Sequence, residues 1–204
     1  MNTFAFVNFQ HMKLVFATNN LNKLAEVQKM LPSSIELLSL KDINCFDDIE
    51  ETATTLEGNA IIKANYITKK FGYNCFADDT GLEIKSLNNE PGVYSARYAG
   101  SARDSKANIT KVLTNLNGVS DRSARFKTVI ALQLGETTHT FTGICEGSIN
   151  QDPKGDQGFG YDPVFIPKGY KETFAELPAS LKNKISHRAK AMQKLLTFIE
   201  ENLS

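Results

Sequence analysis

The sequence predicts a mixed α/β fold: a central sheet flanked by helices and divided into two lobes. Strands and helices alternate through the first half, a two-strand hairpin fills the second, and no linker of disordered composition separates them. At 204 residues the chain is long enough for one large domain, or one domain with two lobes. A cleft between lobes is the default ligand site.

Each element has a local reason. Lys13 to Ala17 is a short apolar run that reads as a buried strand. Thr18-Asn19-Asn20 then caps a helix that carries Leu21, Leu24, Val27, Met30 and Leu31 and stops at Pro32. Ile35 to Leu40 is a second strand, followed by the acidic stretch Asp47-Asp48-Ile49-Glu50-Glu51. A long helix runs from about Thr54 to Phe71, with Leu56, Ala60, Ile61, Ala64 and Ile67 inward and Gly72 as its stop. Tyr73 to Phe76 and Leu82 to Ile84 read as two short strands on either side of an acidic break. Asn88 to Gly100 reads as a polar loop, and Asp104 caps a helix that ends at Gly118. Ala124–Leu134 and His139–Ile149 form the hairpin around Gly135-Glu136-Thr137. A glycine-rich loop, Gly155 to Gly160, precedes Pro163 to Ile166, and a last helix from about Ser186 to Asn202 is capped by Ser186.

Composition narrows the function classes. Lys and Arg number 23 and Asp and Glu 23, so overall electrostatics give no reason to expect nucleic acid or a membrane surface as partner. No apolar run approaches the roughly 20 residues of a membrane span. Cys45, Cys75 and Cys145 are odd in number and far apart, which fits reduced thiols in a cytoplasmic protein better than a disulfide framework or a zinc site. Residues 1–11 lack a basic n-region and a cleavage site; they read as an N-terminal extension of no predicted function, with 12–204 as a single domain.

Four groups of residues can carry chemistry. The break Ala77-Asp78-Asp79-Thr80-Gly81-Leu82 places two carboxylates between apolar segments. Their desolvation is costly unless a metal ion, a catalytic proton or a structural ion pair meets them. Strand alternation sends the two side chains to opposite faces, so Asp79 with Thr80 is expected to face a ligand and Asp78 to support the turn. Thr18, Asn19, Asn20, Leu21, Asn22 and Lys23 lie where a strand hands over to a helix N-terminus, which suits an anion, although an ordinary cap looks the same. No Gly-Lys dipeptide and no GxGxxG occurs, which removes the P-loop and the usual dinucleotide fingerprint. Glu50-Glu51 adds oxygen donors suited to Mg²⁺, or merely solvated carboxylates. Phe159, Gly160, Tyr161 and Asp162 combine close backbone approach, stacking surface and an acceptor, and also suit a turn with core aromatics. His187 and Arg188, with Lys182 upstream, offer donors to a carbonyl or phosphate oxygen.

In this order the segments resemble the HAM1/ITPase family of non-canonical purine nucleoside triphosphate pyrophosphatases. The matching stretches are Phe16 to Asn20 with Lys23 and Glu26, then Glu50-Glu51-Thr52 through Asn59-Ala60 and Lys63-Ala64, and Ala77 to Leu82. Pro91 to Tyr98, Gly158 to Pro163 and Ile185 to Arg188 complete the set. The resemblance implies an elongated two-lobed α/β fold, usually homodimeric, and Mg²⁺-dependent hydrolysis of ITP, dITP or XTP to monophosphate and pyrophosphate. It implies that Thr18 to Lys23 and Lys63 hold the triphosphate. Glu50 and Asp79 would position Mg²⁺, with Asp79 as base for the attacking water. Thr80 would contact substrate, while Phe159 to Asp162, Lys182, His187 and Arg188 would surround the base. A related pyrophosphatase of other base preference and a nucleotide-binding module without catalysis are the alternatives.

Overall fold

The computed structural model describes residues 12–203; the N-terminal extension expected at 1–11 lies outside the described residues. Seven strands form one mixed sheet in the order β2-β1-β3-β5-β6-β7, with β4 paired to β3 off that path. The strands are β1 (Met12–Phe16), β2 (Ile35–Leu38), β3 (Cys75–Ile84), β4 (Glu90–Gly92), β5 (Ser123–Leu134), β6 (Thr137–Ile149) and β7 (Phe165–Pro167). The helices are α1 (Leu21–Gln28), α2 (Leu56–Phe71), α3 (Ser105–Asn115), α4 (Ala179–Ile185) and α5 (His187–Leu203). β1 pairs in parallel with β2 and β3, and every other pairing is antiparallel.

The acidic segment is not a break. β3 is continuous from Cys75 to Ile84 and pairs with β5 along its whole length, Asp78 opposite Ile130 and Asp79 opposite Val129. Its first residues also pair with β1 and its last with β4, so one strand belongs to both ends of the molecule. Two charged residues inside an apolar strand look like a strand end in sequence; tertiary ion pairing overrides that signal.

Apolar clusters surround the two ends of β3. On one face of the first end, Leu14, Phe16, Phe76, Ile130 and Leu132 pack under Met192, Leu195 and Ile199 of α5, with Phe16 and Phe76 stacked at 4.6 Å. On the other face, Val15, Ala17, Cys75, Ala77 and Ala131 meet Ala60, Ala64 and Ile67 of α2. Alternation along β1 and β3 sends successive side chains to these opposite faces. At the second end, Leu82, Ile84, Phe126, Phe165 and Phe174 pack with Ile109 and Val112 of α3 and with Leu116 just after it. The polar middle of β3 lies between these clusters. Among the described residues, no helix is long and apolar enough to cross a membrane.

Helix ends follow local chemistry. The Asn20 side chain accepts from the amides of Asn22 and Lys23, Asp104 caps α3 in the same way, and Gly72 closes α2 in the left-handed region at φ 75°. The Ser186 hydroxyl accepts from the Ala189 amide, as a cap should. α4, seven residues following Pro178, and the short β4 are absent from the sequence expectation.

Candidate active site

A cleft of about 430 Å³ runs beside the middle of β3, within the usual size range of small-ligand pockets. Thr18, Asn19, Asn20 and Lys23 line it from the β1–α1 junction, and Lys63 from α2. Asp79 and Thr80 line it from β3, Phe159 to Asp162 from the glycine-rich loop, and Lys182, His187 and Arg188 from α4 and α5. The sequence-predicted residues are therefore brought together with three exceptions. Leu21 is 78% exposed, and neither it nor Asn22 is in the lining; Asn22 gives only its backbone amide to the cap. Glu50 is exposed and outside the lining, whereas its neighbour Glu51 is inside.

Behind the lining runs a ladder of alternating charge. Lys23 Nζ donates to Asp78 at 2.8 Å, and Asp78 in turn accepts from Arg188 Nε at 3.0 Å. Arg188 reaches Glu26 at 2.6 Å, Glu26 accepts from Lys182 at 2.8 Å, and Lys182 closes on Asp162 at 2.5 Å. Three cations and three carboxylates thus connect α1, β3, α4, α5 and the glycine-rich loop. Asp78 does not support a turn: it is the hub of this ladder, fully buried. It shares a face of β3 with Thr80, whose hydroxyl accepts from Arg188 and bonds Thr128, while Asp79 takes the other face. Burial alone would raise the Asp78 pKa, but Lys23 and Arg188 hold it well below the ordinary carboxylate range.

Asp79 is the opposite case. Only 8% exposed, it accepts from Asn59 Nδ2 at 3.2 Å and from the Thr80 amide at 3.0 Å, and has no ion pair within 4 Å among the described residues. Burial raises its pKa, with Lys63 and Lys23 opposing. A buried carboxylate without a cation is a place where a cation fits. Glu51, 2.6 Å from Lys63, adds a second hard oxygen donor to the same cavity. Among the described residues no three carboxylate, His or Cys side chains converge on one ion position. The donor set therefore suits Mg²⁺ shared with substrate oxygens and water rather than a closed protein cage.

The other end of the cleft is built for a planar group. Phe159 presents its ring with Lys182 Nζ 4.8 Å and the Arg188 guanidinium 5.7 Å from its centroid. Tyr161 is anchored instead, its hydroxyl donating to the Ser95 carbonyl. Asp162 also accepts from the Phe159 amide. His187 is buried and stacks on Phe126 at 4.4 Å, and its buried Nδ1 has no partner among the described residues. Burial, then the neighbouring Arg188 and Lys182, push its pKa well below 6.5, so it is neutral at pH 7. A neutral imidazole carries one donor and one acceptor nitrogen, and His187 is among the residues that line the cavity.

A model of the Ham1 family's sequences matches residues 14–198. The chain belongs to that family. It is 58% identical over 188 residues to a Flavobacterium johnsoniae protein named dITP/XTP pyrophosphatase, covering 92% of this chain and 98% of the relative. Among solved structures, a HAM1 protein from Coxiella burnetii matches with a TM-score of 0.86 at 42% identity, covering 93% of this chain and 99% of that one. The Staphylococcus aureus Ham1 protein matches at 0.85 and 38% identity, with 93% and 98% covered. The mixed α/β architecture is thus the Ham1 fold. Glu26, Asn59 and Asp78 are site-supporting residues that the sequence left without these roles. The i, i+3 spacing of Lys23 and Glu26 on one helix face was the available signal.

Proposed function

We propose that this chain hydrolyses deaminated purine nucleoside triphosphates such as dITP and XTP to the monophosphate and pyrophosphate. The observation that carries it is the two-ended cleft: cations and a helix N-terminus meet at one end, the Phe159 ring and neutral His187 at the other, with Asp79, a carboxylate unpaired among the described residues, between them. Ham1 relatives named for dITP and XTP support the substrate class.

The chemistry asks for positioning and charge neutralisation, not a covalent nucleophile. The β1–α1 amides, Lys23 and Lys63 orient the polyphosphate. Asp79 takes the proton of a water whose oxygen bonds to the α-phosphorus, while the α–β bridging oxygen leaves with pyrophosphate. Asp79 and Glu51 would hold Mg²⁺, which when bound offsets the charge on the phosphate oxygens. We choose Glu51 over Glu50 for this role because only Glu51 lines the cavity. A 6-oxo purine offers an acceptor where adenine offers a donor, and His187 and Arg188 can donate to it. A homodimer in the cytoplasm completes the proposal, checked by light scattering and by localisation of the tagged protein.

The test is pyrophosphate release from dITP, XTP, dGTP, ATP and pyrimidine triphosphates, with and without Mg²⁺. We expect Mg²⁺-dependent release from the first two at far higher kcat/KM. Orthophosphate as the product, or equal rates on ATP, would sink the assignment.

A further inference from the structure

The cavity is short of positive charge for the ligand it is read to hold. Lys23, Lys63, Arg103, Lys182 and Arg188 line it, against Asp48, Glu51, Asp79 and Asp162. Asp78 and Glu26, directly behind, bring the carboxylates to six against five cations. Four of the five cations are already engaged. Lys23 is bound to Asp78, Lys63 to Glu51 and the Asp78 carbonyl, and Lys182 and Arg188 to their ladder partners. A polyanion meeting only neutralised cations gains little, because each must loosen an existing bond to greet it.

Arg103 is the exception. Among the described residues it makes no side-chain hydrogen bond and no ion pair, yet it lines the same cavity. It comes from the loop just before the Asp104 cap of α3, in the lobe opposite Lys23 and Lys63. Burial pushes the Glu51 pKa up, but Lys63, then Lys23, then the Arg103 guanidinium pull it below the ordinary value, so Arg103 is near enough for its charge to be felt there. Arg97 reaches the same carboxylate at 3.6 Å from the neighbouring turn, so the second lobe leans toward the phosphate end of the cleft. The Arg103 backbone is left-handed at φ 54°, a conformation that costs a non-glycine residue free energy and recurs at ligand clamps.

We propose that Arg103 is a polyphosphate-binding residue of this chain, reaching across the cleft to the terminal phosphates of the substrate and to the pyrophosphate that leaves. The proposal rests on the triphosphatase reading for its substrate, but not for its anion. A guanidinium fork matches two phosphate oxygens at once, and this one needs no internal bond broken before it engages.

The experiment measures calorimetric binding of inorganic tripolyphosphate and of dIMP to the full chain, and KM for dITP with Mg²⁺. Arg103→Ala is compared with Arg103→Gly, which relieves the backbone, and Arg103→Lys, which keeps the charge. We expect Arg103→Ala and Arg103→Gly each to weaken tripolyphosphate binding and raise KM by about tenfold, the size of one lost charged hydrogen-bonded contact. Arg103→Lys should recover part of both, and dIMP affinity should not move. Wild-type tripolyphosphate affinity in Arg103→Ala, or an equal loss for dIMP, overturns the proposal, as does a wild-type chain that fails to bind tripolyphosphate. If dITP yields no pyrophosphate, the functional reading fails while the tripolyphosphate comparison still judges Arg103.

Discussion

Asp78 and Asp79 are adjacent and chemically identical, and their surroundings give them opposite energetics. Asp78 has a pKa depressed by Lys23 and Arg188 against the pull of burial, so its ionisation stabilises the fold. That contribution is complete above the ordinary carboxylate pKa and is lost as pH falls through the lower folded value. Asp79 has its pKa raised by burial, so ionising it costs stability as pH rises through that raised value. At neutral pH, Asp78→Asn is expected to lose about 3–5 kcal/mol by leaving buried cations uncompensated. Asp79→Asn should be at least as stable as the parent, yet slower by about 10²–10⁴-fold if Asp79 is the base. Denaturant melts at pH 7 and at acid pH check the first contrast, and the gap for Asp78→Asn should narrow in acid. Turnover should fall on the acid side as Asp79 protonates, and a pH-rate profile with no acid limb counts against Asp79 as base. Glu51→Gln should raise the Mg²⁺ concentration needed for half-maximal rate, and Glu50→Gln should leave it near the parent's. The reverse order returns the metal role to Glu50.

At the scale of elements, the base end of the site depends on how α5 sits on β6. Gly143 of β6 lies against α5 so closely that a Cβ there would be 2.0 Å from the His187 carbonyl oxygen and 2.5 Å from the Ala191 nitrogen. Both contacts are backbone, so Gly143→Ala must push the N-terminal turn of α5 away, and His187 and Arg188 with it. The expected cost is about 1–3 kcal/mol, with KM for dITP raised. Leu195→Ala, at a fully buried position further along α5, should cost about 2–5 kcal/mol and spare KM. Equal KM values in the two variants would show that the Gly143 contact does not position the site. The helix caps at Asn20, Asp104, Gly72 and Ser186 were legible in the sequence because each is settled within a few residues. The continuity of β3 was not, because its acidic middle is held by Lys23 and Arg188, 55 and 110 residues away. The choice of Glu51 over Glu50 depends on the path of a loop with no periodicity. α4 is too short to carry a helical repeat, and its Lys182 finds Glu26 across 156 residues.

The whole molecule consists of apolar clusters at the two ends of β3 and β5, with the ligand cleft and the charge ladder between them. A nucleotide bound as proposed would touch both ends of that cleft, which would couple its binding to global unfolding and not only to local order. A ligand that binds the native state alone at 100 times its Kd adds about 2.7 kcal/mol, and in a chain of this size each kcal/mol shifts Tm by about 2–4 °C. In Asp79→Asn melted without Mg²⁺, where the slowed turnover leaves dITP intact through the scan, saturating dITP at that ratio is expected to raise Tm by roughly 5–10 °C. At the same molar concentration dIMP and tripolyphosphate should each do less, because each engages one end of the cleft. Adding the two together should approach dITP only as far as separate pieces can replace a linked ligand, whose second contact is made at high effective concentration. If dIMP alone matches dITP, the phosphate end contributes nothing to holding the lobes, and the cleft is a base pocket with an unrelated patch of charge beside it.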